Sequence, residues 1–380
     1  MSPSGPLHIA FVIEHAYVDA LACFREPIKA LAARGAHVDV YTRLTPTHPV
    51  PVFASPRVRV IPVDITYSGA AALTARLATH RPRYAVVLAA PQWGLHWAVR
   101  ASAVTGAPVG YISDELIIDN ELTTSAQRRW KMRERRDHRR CAFSIALSQD
   151  RADFLRGVNR LGGDHPIFVV PNSAPGPAQR LESHFFQEVL GIPANRSVIV
   201  HAGGMGWEPA EALAVAAAGW DDTMPAVVFQ GRLPTQMRTR ESRGAVWFSP
   251  ATLPASLLDH AISSAHIGLA LYDDRRANDR LMGTASGKLC LYMKNALPVI
   301  TTRLACFDWV EREGCGVRVR TTDEIPDAAR TICADYERYA DAVRRYYARH
   351  LDFTQTFEPV VHAIESLARR PLAGVRGDVA

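Results

Sequence analysis

Residues Leu7 to Thr42 read LHIAFVIEHAYVDALACFREPIKALAARGAHVDVYT, and this stretch decides the fold class. Leu7 to Ile13 is a short apolar run, consistent with a buried strand. Ala20 to Arg34 then carries Leu21, Phe24, Ile28 and Leu31 at the spacing of one helix face. Gly35 follows as a helix-ending residue. Ala36 to Thr42 is a second run of β-formers. Strand, helix, glycine, strand is the signature of a βαβ unit and a mostly parallel sheet.

The same alternation continues outward from this stretch. Tyr84 to Ala90 reads as a strand, Gly94 to Thr105 as a helix stopped by Gly106, and Val109 to Ser113 as the next strand. Phe143 to Ser148 and Ile167 to Val170 are further strands. Pro171-Asn172-Ser173-Ala174-Pro175-Gly176-Pro177 interrupts the pattern as a linker, with a helix over Leu181 to Leu190 before the alternation restarts. Ser197 to Ala202, Ala226 to Gln230, His266 to Leu271, Leu297 to Thr302 and Gly316 to Val319 read as strands. Leu257 to Ser264 and Ser286 to Lys294 read as helices. Asp323 to Tyr347 and Phe353 to Arg370 are long helical patterns with no strand after them. The expected organisation is a domain over 1–172, a linker over 173–195, a second domain over 196–350, and a last helix over 351–380 returning to the first domain. Two Rossmann-like domains would face each other across a cleft, since open α/β sheets bind ligands at the carboxyl ends of their strands.

Composition narrows the function classes. The 380 residues are 48% apolar and 22% charged, ordinary for a globular chain long enough for two cores. The net charge of +6 is a mild bias that permits anionic ligands and does not call for nucleic acid. The six cysteines form no C-x-x-C pair and read as buried small hydrophobes in a reducing compartment. Leu7 to Ile13 has no basic residue before it and stops at Glu14, so no secretory signal is expected and the chain reads as cytoplasmic.

Four segments carry candidate chemistry. Gly283-Thr284-Ala285-Ser286-Gly287-Lys288-Leu289 places small residues, a capping serine and a lysine at a helix start. Free N–H groups and the positive dipole end there suit a phosphate. An ordinary capped helix with an exposed lysine fits the segment equally well, and it is not a Walker A loop. Ala202-Gly203-Gly204-Met205-Gly206-Trp207 follows a strand. Pro209 stands where the dinucleotide fingerprint needs its third glycine, so a tight βα turn competes with a phosphate contact. Tyr272-Asp273-Asp274-Arg275-Arg276-Ala277-Asn278-Asp279-Arg280 joins acids to three arginines, which would clamp a phosphate or simply form a solvated loop. Arg128 to Arg140 holds seven arginines and Lys131 against Glu134 and Asp137. It reads first as a solvated helix face, and second as a peripheral membrane contact. His15, Asp114 and Glu115 follow strands and belong at their carboxyl ends, where they would serve as acids or bases. No metal-ligand pattern is present.

Several of these residues together resemble the GT-B glycosyltransferases of family 4. Ile167-Phe168-Val169-Val170-Pro171-Asn172-Ser173 is similar to the family's segment before the interdomain linker. Ser197 to Gly206 is similar to the strand and glycine turn that open its donor domain. Ser286-Gly287-Lys288-Leu289, running to Leu297-Pro298-Val299-Ile300, resembles its S-x-K-L…P-V-I element, and Gly314-Cys315-Gly316-Val317 the glycine pair after it. Ala30 to Thr42 resembles its N-terminal strand entry.

The resemblance implies an α/β GT-B fold and transfer of a sugar from a nucleotide donor, UDP- or GDP-linked, to an acceptor. It implies a metal-independent and retaining reaction with no cofactor, the donor held by the C-terminal domain and the acceptor by the N-terminal one. The family's ribose-contacting glutamate falls at Leu291 and the first glutamate of its E-x7-E pattern at Gly283. These departures leave Lys288, Arg232 and Arg280 as candidate phosphate cations. Gly203, Gly204, Ser286, Gly287 and Leu289 complete the expected donor site, with His15, Asp114 and Glu115 on the acceptor side. A sugar-nucleotide 2-epimerase of the same fold, and a catalytically degenerate binding subunit, are the competing readings.

Overall fold

The computed structural model describes residues 5–43, 45, 50–64, 66–80, 82–204, 208–231, 244–249 and 252–369. The chain divides into two compact units, Met1–Asn172 with Phe353–Ala380, and Ser173–Asp352.

The first unit is built on seven parallel strands. They are β1 (His8–Ile13), β2 (His37–Arg43), β3 (Val58–Val63), β4 (Val86–Ala90), β5 (Val109–Ser113), β6 (Phe143–Ala146) and β7 (Ile167–Val169), in the order β3-β2-β1-β4-β5-β6-β7. Central strands β1, β4 and β5 are buried on both faces, which is why they read as unbroken apolar runs. The order reverses between β1 and β4, the topological switch point of a doubly wound sheet. The helix Phe353–Arg369 packs against the helix Ala22–Ala33 and against β4 and β7. It buries Phe353, Phe357, Val360, Val361 and Ile364, an apolar stripe at helical spacing.

The second unit repeats the plan with six parallel strands. These are β8 (Val198–Ala202), β9 (Ala226–Gln230), β10 (Val246–Ser249), β11 (Ile267–Ala270), β12 (Val299–Thr302) and β13 (Gly316–Val319), in the order β10-β9-β8-β11-β12-β13. Its switch point lies between β8 and β11. The segment 173–177 belongs to this unit. Tyr347 Oη donates to the Ala174 carbonyl at 2.6 Å, and Gly176 N–H donates to Asp352 Oδ1 at 2.9 Å.

Two strands carry too weak a sequence signal to be expected. β3 is half-exposed and holds Pro62, so its pattern is diluted. β10 is a four-residue edge strand whose central Trp247 and Phe248 are only half-buried. The helix expected over 181–190 is confined to Phe185–Leu190. The pattern over 323–347 is two helices, Ile325–Ala334 and Tyr336–Tyr346, broken at Asp335 and followed by a π-helical turn at Tyr347–Leu351. The basic run also departs from a fully solvated face. In the helix Ser125–His138, Lys131, Glu134, Asp137 and His138 are buried. Lys131 Nζ meets Glu134 Oε2 at 2.9 Å, and His96 Nδ1 lies 2.7 Å from Asp137 Oδ2.

Of the cysteines, Cys23, Cys141, Cys290, Cys306 and Cys315 are buried, Cys333 is half-buried, and none is joined in a disulfide. Among the described residues no helix is long and apolar enough to cross a membrane.

Candidate functional site

In the first unit the carboxyl ends of β1 and β5 bring two residues together that are far apart in sequence. His15 Nε2 lies 2.8 Å from Asp114 Oδ2. β1 ends at Ile13, and Glu14 N–H donates to the Ala90 carbonyl at 3.0 Å, so the chain turns over the end of β4 toward β5. The Thr42 hydroxyl donates to the His15 carbonyl and fixes that turn. Arg151, fully buried, donates through Nη1 to the Asp114 carbonyl at 2.5 Å.

Burial lowers the proton affinity of the His15 imidazole. The hydrogen bond to Asp114, the Asp114 charge, and the charges of Glu14 and Glu115 outweigh it, so its pKa rises above the ordinary 6.5. Glu14 is itself pushed up by burial. With Asp114 on Nε2, Nδ1 is the nitrogen left for a substrate proton. Asp114 Oδ1 and Ser113 Oγ are buried and make no hydrogen bond. Glu115 is exposed and acts on His15 through its charge. All three sequence candidates therefore converge, with His15 and Asp114 in direct contact.

In the second unit, the helix Gly287–Lys294 starts beside the carboxyl ends of β8 and β11. Tyr292, on this helix, lies across Gly268 of β11, where an added Cβ would sit 2.2 Å from the ring. Its hydroxyl accepts from Ala202 N–H at 2.7 Å and donates to the Leu269 carbonyl at 3.2 Å, tying the helix to both strands. Ser286 is the N-cap, its Oγ accepting from Leu289 N–H at 3.2 Å. The same Oγ lies 2.6 Å from Tyr272 Oη, and both side chains are buried. Ser286 therefore organises the helix start, and Leu289 is a core residue whose N–H is already used.

Lys288 is the cation of this site. Its Nζ is 5.0 Å from the centre of the Tyr272 ring. Burial pulls its ammonium down to about 8, with the Asp279 charge pulling the other way. Burial in turn raises Asp279, restrained by the Asp273 N–H, Arg276 and Lys288. Gly203 follows β8 with φ +126, a conformation that favours glycine, and no atom lies within 4 Å of the Cβ position there. Its own N–H donates to the Gln230 carbonyl at 2.9 Å, while Gly204 is exposed.

Arg280 is exposed at the end of the short helix Ala277–Arg280 and donates to the Asp274 carbonyl at 2.6 Å. Arg232, with Met205, Gly206 and Trp207, lies outside the described residues. Sequence reasoning missed the role of Tyr272, Asp279 and His201. His201, on β8, is fully buried and its ring nitrogens make no hydrogen bond of ordinary geometry. Burial and the nearby Lys288 hold it well below the usual histidine range, against the Gly204 backbone. His201 lies on a strand and Tyr272 two residues after one, while Asp279 belongs to the segment 272–280 singled out for its arginines.

Comparison with solved structures resolves the architecture. The sucrose-phosphate synthase of Thermosynechococcus elongatus superposes with a TM-score of 0.71 at 16% identity, covering 95% of this chain and 99% of that one. Anabaena HepE in complex with UDP-glucose gives 0.67 at 12% identity, covering 95% and 100%. WaaG, a glycosyltransferase of lipopolysaccharide biosynthesis, gives 0.64 at 14% identity, covering 94% and 99%. The chain has the GT-B fold. No protein-family model and no curated protein sequence matches it. A GT-B chain is therefore identified here by shape and strand order, with sequence identities too low to carry activity with them.

Proposed function

We propose that this GT-B chain is a nucleotide-sugar-dependent glycosyltransferase. The second unit takes the donor and the first takes the acceptor hydroxyl. The observation that carries this reading is the pairing of two chemistries on one topology. A carboxylate-oriented imidazole stands at the switch-point end of the first sheet. A half-buried lysine at a capped helix start stands at that of the second.

In the reaction, the acceptor oxygen forms a bond to the anomeric carbon as the bond from that carbon to the nucleoside diphosphate breaks. Neutral His15 takes the acceptor proton on Nδ1, and Asp114 stabilises the resulting imidazolium. The diphosphate leaves with the electron pair. Lys288 and the free N–H groups of the first helical turn neutralise it, with Gly203 and Gly204 giving its backbone room. Arg280 supplies a further cation. A diphosphate held this way needs no metal, so EDTA leaves turnover unchanged.

The resemblance to family 4 implies retention at the anomeric carbon. The His15–Asp114 pair favours a single displacement, which inverts. Proton NMR of the freshly formed product distinguishes the two by its anomeric coupling constant.

UDP is the favoured nucleotide, because HepE is described with UDP-glucose. Thermal unfolding with UDP, GDP, ADP and dTDP tests the donor. A ligand at 100 times its Kd adds about 2.7 kcal/mol of stability. A shift with none of the four would overturn the reading. Epimerised sugar nucleotide formed without any acceptor would replace it with a 2-epimerase.

A further inference from the structure

Lysine is rare in this chain. Of its 44 lysines and arginines only four are lysine, at positions 29, 131, 288 and 294. Two of the others near or in a core use their donors on oxygen. Lys131 Nζ meets Glu134 Oε2 at 2.9 Å, and Lys294 Nζ donates to the Pro175 and Pro177 carbonyls at 2.6 and 2.8 Å. Lys288 is half-buried and differs from both. Among the described residues its Nζ has neither a carboxylate in ion-pair contact nor a hydrogen bond. Its close partner there is the face of Tyr272, with the ring centre 5.0 Å away. The acids of the preceding segment leave it so. Asp279 acts on it through its charge, and Asp273 is committed to Arg275.

The Tyr272 ring is fixed at three points. Its backbone N–H donates to Thr302 Oγ1 at the end of β12, at 2.8 Å. Its hydroxyl lies 2.6 Å from Ser286 Oγ, the cap of the helix that carries Lys288 two residues later. Phe307, fully buried, stacks on it with ring centres 5.7 Å apart. Tyr272 is itself 6% exposed, so its face cannot swing away from the lysine.

An ammonium taken out of water is costly unless something replaces the lost interactions. A carboxylate would do that, but it would cancel the charge and occupy the N–H groups. An aromatic face attracts a cation through its quadrupole and takes no donor, so all three ammonium N–H groups stay available. We propose that Tyr272 is a positioning residue whose ring face seats the Lys288 ammonium, keeping it charged with its donors open to an incoming diphosphate. The identity of that anion rests on the glycosyltransferase reading. The seat does not.

The test varies the electrons of the ring and keeps its shape. Position 272 of the full chain is replaced by phenylalanine and by its 4-fluoro, 3,5-difluoro and 3,4,5-trifluoro forms. All four lack the hydroxyl, so differences among them report the ring face alone. Lys288 is titrated by its rate of reaction with fluorodinitrobenzene across pH, read by mass spectrometry, and UDP affinity is measured by isothermal titration at pH 8. The Lys288 midpoint should fall with each fluorine, with about tenfold lower proton affinity at three. The Kd for UDP should rise in the same order, while the unfolding temperature stays level across the series. A ring that only fills space would leave the midpoint flat, and that result overturns the proposal whether or not UDP binds. Falling midpoints in a chain that binds no UDP would uphold the seat and remove the glycosyltransferase reading.

Discussion

The two units share one strand order and differ in the chemistry at its turning point. In each, the first strand of the unit lies at the centre and the order reverses beside it. At that point the first unit gathers negative charge around an imidazole, with Asp114, Glu14 and Glu115 all raising His15. The second gathers glycines, a helix start and Lys288. The topology supplies a place, and the residues within a few positions of a strand end decide what the place does.

The largest expected effect breaks the first half of this comparison. His15→Ala should cost about 10²–10⁴ in kcat with donor binding unchanged, since general-base catalysis contributes that much. An unaltered kcat would remove the imidazole from the reaction. Lys288→Ala breaks the second half. A hydrogen bond to a charged group is worth about 1.5–3 kcal/mol, so kcat/KM for the donor should drop roughly 10- to 150-fold. Isothermal titration with UDP shows whether the loss is in binding.

A pH profile sharpens the contrast, because the two groups act in opposite forms. His15 must be neutral, and its pKa is raised, so kcat/KM climbs through a value above 6.5. Lys288 must be charged, and burial has brought it to about 8, so the profile falls above that point. Asp114→Asn removes the main raising influence and should move the acid limb to lower pH. The smallest effect is Tyr272→Phe, which takes one partner from the Ser286 cap. It should cost about 1 kcal/mol of stability by thermal unfolding, with donor affinity reduced only a few-fold.

Legibility in the sequence followed burial. β1, β4 and β5 announce themselves because both faces are covered and all but their end residues His8 and Ser113 suit an apolar interior. β3 does not, because an edge strand mixes exposed and half-buried positions around Pro62. The places of His15 and Asp114 after strands were legible, and their contact was not. They are 99 residues apart, and only the strand order brings the ends of β1 and β5 together. Ser286 was recognised as a cap, but its bond to Tyr272 depends on tertiary packing. Lys131, Glu134 and His138 follow the i, i+3, i+7 spacing of a buried face. Their charge disguised it, because buried ions are identified by their partners and not by their type.

The path of the chain has a consequence for how the protein is made. It leaves the first unit after Asn172 and re-enters it at Phe353. The helix that buries its own Phe357, Val360 and Ile364 against the first unit is thus synthesised after all of the second unit. At about 5–20 residues per second, translation of the intervening segment takes roughly 10–40 s. Throughout that interval the first sheet waits with the part of one face over β4 and β7 uncovered, while the second unit, contiguous in sequence, emerges with everything it needs. A nascent chain stalled before Phe353 would therefore carry one finished domain and one that proteases and chaperones still recognise as open.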